Sequence, residues 1–245
     1  MKKLFAAFVV LLLATACSST VVPPPKTADY YLQEGETFFD QGRYDDAIAN
    51  WEKVRDSYYS PELNILAEMK IAEAYFLSGR YVEAATAYED FLKQHPENPR
   101  TSEILFQLGL SYFNQILSPD RDQTTTRNAL ATFTDLQNRF PDFPRQYELK
   151  EKIAQCRDRL ADHEVIVGNF YLRTDKYQAA VNRILPVFSQ YPNYSKKDEA
   201  YFYLGHAYLM LEKRQQAADA FNTLYREYPS SKYVLAAQKL VEKEY

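Results

Sequence analysis

The stretch Gly35-Glu36-Thr37-Phe38-Phe39-Asp40-Gln41-Gly42-Arg43-Tyr44-Asp45-Asp46-Ala47-Ile48-Ala49-Asn50-Trp51 decides the fold. A small residue is followed three positions later by an aromatic, then by a Gly-x-Tyr turn. An alanine falls twelve residues after Gly35 and a large ring four residues after that. The pattern returns as Ala72, Tyr75, Gly79, Tyr81, Ala84, Tyr88, Phe91 and Pro96. It returns again as Gly109, Tyr112, Ala129, Phe133, Leu136 and Pro141, with eight extra residues in the turn. A fourth copy holds Gly168, Tyr171, Tyr177, Ala180, Ile184, Val187 and Pro192, and a fifth holds Gly205, Tyr208, Ala217, Phe221, Leu224 and Pro229. In four copies the proline stands twelve residues after the alanine; in the first, Tyr59 holds that place and Pro61 lies nearby. Repetition at a fixed period marks a stack of similar units, each unable to bury its apolar face alone.

The physics of the spacing predicts two antiparallel helices per unit. Small residues let the helices approach, the large aromatic fills the gap to the next unit, and proline ends the second helix because it lacks an amide donor. The signature resembles that of tetratricopeptide repeats. It predicts an all-α solenoid of five helix-turn-helix repeats, with a capping helix from Ser231 to Tyr245. Ser60-Pro61-Glu62 reads as a helix start, with Ser60 as the cap and Pro61 in the first turn. Ser195 and Asp198 have the spacing of a capping box for repeat five. Between repeats three and four, Arg145 to Arg173 contains no proline. Leu149, Ile153, Cys156, Leu160, His163, Val167 and Phe170 form a stripe at spacings of four and three, predicting one helix with one apolar face. Residues 27–144 are thus repeats one to three. Residues 145–245 are the long connecting helix, repeats four and five, and the cap.

The N-terminus reads differently. Lys2 and Lys3 precede an apolar run from Leu4 to Ala16, about 20 Å as a helix, too short to cross a bilayer core of roughly 30 Å. It is expected to be a signal peptide over residues 1–16. The segment Leu13-Ala14-Thr15-Ala16-Cys17 resembles the lipobox of bacterial lipoproteins, in which the cysteine carries the lipid. Ser18 resembles the sorting signal for the outer membrane. Several acyl chains on Cys17 would anchor durably, at about 0.8 kcal/mol per buried methylene. Processing would leave 229 residues and shift the formal charge from −4 to −6 by removing Lys2 and Lys3. Residues 17–26, with three successive prolines, are expected to form a tether.

Composition closes other routes. Six glycines are too few to punctuate an all-β architecture, and two cysteines supply neither a disulfide framework nor a four-ligand zinc site. A net acidic chain does not suit nucleic acid. There is no phosphate loop, dinucleotide fingerprint, nucleophile elbow or His-Glu-x-x-His. His95, His163 and His206 are scattered without metal-ligand spacing, so no metal and no cofactor are expected beyond the lipid on Cys17. Nor does Cys156, on the apolar stripe, have an activating neighbour. An enzyme is not expected. All six glycines occupy helix-packing or turn positions, leaving none for a ligand-cradling loop.

Binding surfaces remain. Phe39, Phe76 and Phe113 recur every 37 residues on the first helices, with Leu32, Met69 and Phe106 earlier on the same face. They form either an aromatic groove for a peptide in the N-terminal half or packing between repeats. The insertion in repeat three carries Asp120, Arg121 and Asp122, as an inert turn or a contact surface.

Several segments are similar to one family, the BamD lipoproteins of the outer-membrane β-barrel assembly machine. They are the lipobox at Cys17, the Asp120-Arg121-Asp122 loop followed by Ala129 and Phe133, and Asp158-Arg159-Leu160-Ala161 with Glu164. Tyr177 with Ala180-Val181-Asn182-Arg183, then Tyr191-Pro192, completes the set. The resemblance implies a non-enzymatic scaffold, held by lipid at the outer membrane and facing the periplasm. It implies docking on the POTRA domains of the barrel subunit BamA, company with other Bam lipoproteins, and recognition of C-terminal targeting strands of unfolded outer-membrane proteins by the N-terminal repeats, where Tyr59 lies. It further implies that Arg183 meets an acidic residue of BamA. The chain departs from the family pattern at Tyr58-Tyr59-Ser60-Pro61 and at Ile104 to Leu110. The alternative reading is another tetratricopeptide envelope lipoprotein, an adaptor for cell-wall or pilus assembly.

Overall fold

The computed structural model describes residues 26–57 and 60–244. The signal peptide, Cys17, the tether up to residue 25, and Tyr59 lie outside the described residues. The helices are α1 (Ala28–Asp40), α2 (Tyr44–Arg55), α3 (Pro61–Leu77), α4 (Tyr81–Gln94), α5 (Thr101–Phe113) and α6 (Thr124–Arg139). They continue as α7 (Gln146–Arg173), α8 (Tyr177–Ile184), α9 (Val187–Gln190), α10 (Lys197–Met210), α11 (Arg214–Glu227) and α12 (Lys232–Glu244). The all-α expectation holds, and no strand occurs among the described residues.

Most helices pack chiefly on their neighbours in the chain, α12 lies against both α10 and α11, and α1 with α3, α5 with α7, and α7 with α10 join first helix to first helix. This is the contact pattern of a solenoid, whose stability is a sum of unit and interface terms. The small residues sit where the helices approach. A methyl group on Gly35 would stand 2.3 Å from Trp51 Nε1, and one on Gly109 would stand 2.3 Å from Phe133 Cε1. Both rings are fully buried.

Four of the turns close alike. The amides of Arg43, Arg80, Lys176 and Lys213 donate to the carbonyls of Phe38, Tyr75, Tyr171 and Tyr208, each at 2.9 Å. That closure needs one residue with positive φ. Gly42 and Gly79 supply it in repeats one and two, whereas Asp175 (φ 57°) and Glu212 (φ 59°) supply it in repeats four and five.

Ser60 caps α3 as expected, accepting from the Leu63 amide at 3.3 Å, with Pro61 at the helix start. The Ser195–Asp198 capping box does not form. Lys196 holds the cap position of α10 without a side-chain bond. The Ser195 amide donates to Asp158 Oδ1 at 3.3 Å, and Asp198 Oδ2 accepts from Ser231 Oγ at 2.6 Å. Tertiary partners have taken both groups.

The long helix is continuous through Gly168 and serves two cores. Leu149, Ile153 and Cys156 join the core of repeat three, and Ala161, Val165 and Leu172 join that of repeat four. The connecting helix and the first helix of repeat four are therefore one rod. The predicted stripe does not stay buried along it. Leu149 to Leu160 are covered, but Phe170 is 50% exposed. The reason is length: α6 has 16 residues against 28 in α7, so α7 outruns its cover. The second helix of repeat four also differs from a regular unit. It divides into α8 and α9 at Leu185-Pro186, because Pro186 cannot continue the ladder.

Candidate functional site

The insertion of repeat three is a built turn. Gln123 is buried at its base; its Nε2 donates to the carbonyls of Ser118 (2.9 Å) and Arg121 (3.0 Å), and its Oε1 accepts from Thr126 Oγ1 (2.8 Å). Asp122 Oδ1 accepts from the Thr124 amide at 2.8 Å. His163 Nδ1, on α7, donates to the Pro119 carbonyl at 2.7 Å and pins the loop to the long helix. Asp120, Arg121 and Asp122 are left exposed at its rim. A hydrogen bond from Ser118 holds the Asp120 carboxyl below its ordinary value, and the Thr124 amide does the same for Asp122. Both are thus held in the charged form, ready for a cationic partner.

Arg183 lies in the last turn of α8, just before the break at Pro186. Its Nη1 donates to Glu164 Oε2 at 3.1 Å, with both side chains partly open to solvent. Glu164 follows His163 in the chain, so the loop and Arg183 meet the same turn of α7. A shallow hollow of about 440 Å³ adjoins the pair, lined by Glu164, Tyr171, Asn182, Arg183, Pro186 and Gln190. Arg127, at the start of α6, reaches the fields of both Asp122 and Tyr191, and Tyr191 also feels Glu164. Burial, chiefly, raises the Tyr191 phenol above its ordinary value. The structure therefore gathers Asp122, His163, Glu164 and Arg183 around one turn of α7, residues drawn from three separate stretches of the chain. Gln123 and the His163–Pro119 tie escaped the sequence reading; a glutamine beside two acids gives no periodic signal.

The proposed groove residues do not form one stripe. Phe106 is fully buried between Phe133 and Phe143, with the Arg145 guanidinium 4.1 Å from its ring centre. It is core, which corrects its assignment to a groove: α6 and the Phe143 turn close over it. Phe39 packs edge-on to Tyr44 at 5.5 Å and Phe76 edge-on to Tyr81 at 5.4 Å, each joining the end of a first helix to the start of the second. Lys152 Nζ lies 4.2 Å from the ring centre of Phe113. These half-buried rings have packing partners. Met69 lines an open hollow, about 210 Å³ between α3 and α5, with Leu66, Glu73, Tyr88, Glu103 and Gln107. Gln107 Oε1 there is buried without a hydrogen-bond partner.

No cluster of three or more His, Cys, Asp or Glu is placed to hold a metal among the described residues. Burial pushes the Cys156 thiol up to about 12, the opposite of an activated nucleophile.

The family model described as YfiO, outer membrane lipoprotein, matches residues 25–220. The outer membrane protein assembly factor BamD of Rickettsia prowazekii is 29% identical over 209 residues, covering 85% of this chain and 83% of that protein. The BamD of Caulobacter vibrioides is 26% identical over 207 residues, covering 84% and 68%. Among solved structures, the TPR2AB-domain:pHSP90-complex of yeast Sti1 matches with a TM-score of 0.47 at 16% identity, over 88% of this chain and 84% of that one. With the family model spanning about four-fifths of its length, the chain belongs to the YfiO outer membrane lipoproteins, the family of assembly factor BamD.

Proposed function

We propose that the chain is a scaffold of an outer-membrane β-barrel assembly complex, anchored by lipid on Cys17 and facing the periplasm. Its α7 side docks on the POTRA region of a BamA-like barrel subunit, beside other lipoproteins of the complex. Its N-terminal repeats receive the targeting segments of unfolded outer-membrane proteins.

The observation that carries the docking reading is the convergence of Arg183, Glu164 and the Asp120-Arg121-Asp122 rim on one stretch of α7. An exposed ion pair contributes only about 0–1 kcal/mol. Arg183 therefore exchanges Glu164 for a partner's carboxylate at little cost in stability, and its planar fork suits a two-point contact. For the substrate, the support is the open hollow at Met69, with its unpartnered amide oxygen on Gln107.

The test is co-purification from gently solubilised outer membranes. The chain should bring down a POTRA-bearing barrel subunit, and Arg183→Glu should weaken that association at least tenfold with helicity unchanged. Intact binding by the variant would sink the role of Arg183, and absence of the barrel subunit from the wild-type preparation would sink the scaffold reading. A photoreactive peptide ending in an aromatic β-strand motif should crosslink near Phe39, Met69 or Phe76. Crosslinks confined to repeats four and five would overturn the substrate assignment.

A further inference from the structure

The second half of α7 offers an unfilled helix slot. In a regular repeat, the residue two places after the small glycine or alanine faces the second helix of the preceding repeat. Ala74, Ser111 and Ala207 hold that place, all fully buried. α2 packs on α3, α4 on α5, and α8 on α10. The equivalent residue in repeat four is Phe170, which is 50% exposed, with Ile166 one turn before it at 39%. No helix among the described residues covers them, because α6 reaches only the first half of α7 and the insertion loop ends its cover at His163. Small residues stand where a helix is already packed, and a large ring stands where none is.

The charges around the slot have one sign. Every acid on this half of α7 is engaged within the chain: Asp158 accepts from the Ser195 amide, Asp162 from Tyr194 and Lys196, and Glu164 from Arg183. Arg159 and Arg173 bracket the apolar pair and form no ion pair among the described residues. They lie fourteen residues apart, about 21 Å, or four turns of a partner helix.

We propose that this face of α7 docks an amphipathic, acidic helix from a partner chain. Its apolar stripe would cover Ile166 and Phe170 where a preceding repeat's second helix would lie, and its carboxylates would meet Arg159 and Arg173. The geometry is helix-on-helix, read through anchors at spacings of three and four. The proposal stands apart from the docking role of Arg183, which sits on α8 and pairs with Glu164.

The probe is a fluorescent, stapled 16-residue helix with leucines on one face and glutamates flanking them, titrated by anisotropy against the Cys17→Ser chain. Saturable binding is expected. Phe170→Glu and Ile166→Glu should each weaken it at least tenfold, and the milder Phe170→Ser should weaken it measurably, with circular dichroism and thermal midpoint unchanged. A peptide with lysines replacing the glutamates should bind at least tenfold more weakly, and Arg159→Glu should narrow that gap. Arg183→Glu should leave binding unmoved. No saturable binding, equal affinity for both peptides, or indifference to Phe170→Ser and Phe170→Glu would each overturn the proposal. So would self-association of the chain that Ile166→Glu abolishes, since the occupant would then be a second copy.

Discussion

In repeat one the indole of Trp51 lies over Gly35; in repeat four the same place over Gly168 is taken by Ile184, whose Cγ1 would stand 2.4 Å from a methyl group there. Repeats three and five follow repeat one, with Phe133 over Gly109 and Phe221 over Gly205. Repeat four alone uses an aliphatic chain and splits its second helix one residue later, and it leaves one side of its first helix bare although repeat three precedes it. The N-terminal repeats invest their aromatic rings in covered interfaces. Repeat four gives up that regularity, and it is where the polar cluster and the uncovered face occur together. Departures from the repeat are therefore better pointers to a surface of use than the repeat itself.

The sharpest way to break this contrast is chemical. Cys156 lies on α7 where α6 covers it, and its thiol is pushed up to about 12 by burial. In a Cys17→Ser chain at pH 8, alkylation of Cys156 should be at least a hundredfold slower than that of a free thiol, because the thiolate is the nucleophile. A Phe170→Cys substitution in a Cys156→Ala background, on the same helix beyond the cover, should label freely. Comparable rates by mass spectrometry would mean that α6 does not shield the first half of α7.

Stability comes next. Trp51→Ala removes a fully buried indole and should cost about 3–5 kcal/mol in chemical denaturation, as large-to-small core changes do. A loss under about 1 kcal/mol would show that repeat one contributes little to cooperative unfolding. Smaller effects separate the two kinds of seam. Gly109→Ala forces a methyl against the rigid ring of Phe133 and should cost about 1–3 kcal/mol. Gly168→Ala meets Ile184, which can turn about χ1 and χ2, and should cost less. The reverse order would contradict the assignment of the more yielding seam to repeat four.

The smallest effect concerns the turns. Glu212 adopts positive φ where repeats one and two use glycine. Glu212→Gly should raise stability by up to about 1 kcal/mol, because a non-glycine side chain is strained in that region. A loss of stability would mean that the gain in unfolded-state entropy outweighs the relief.

The sequence made the solenoid legible because its period is written in residues with one packing job each. Gly35, Ala47 and Trp51 recur at fixed spacing, and all fell where the spacing put them. The failures have a common cause. The spacing leaves Phe106 either in a groove or in packing between repeats, and it packs; it puts Phe170 on the apolar stripe, where it stays half exposed. Helical periodicity gives the direction in which a side chain points but not whether another helix lies there. The cap at Ser195 failed likewise, its partners being supplied by Asp158 and Ser231, distant in the chain. Gln123 left no trace because its bonds are to backbone carbonyls of an irregular loop. Arg183 and Asp120 to Asp122 stand out in the sequence as candidates; their approach to one turn of α7 is visible only in the fold.

The unbroken α7 also sets the phase between the two halves of the molecule. Its 28 residues span about 42 Å and hold both cores on one axis. Deleting or inserting a single residue near Cys156 would swing everything beyond it by about 100° and shift it by about 1.5 Å. Seven residues would restore the bearing to within about 20° while moving repeat four roughly 10 Å along the axis. Substitutions on the rod leave that bearing intact; changes in its length do not, so the rod acts as a keyed shaft whose register decides which directions the loop rim and the repeats face together.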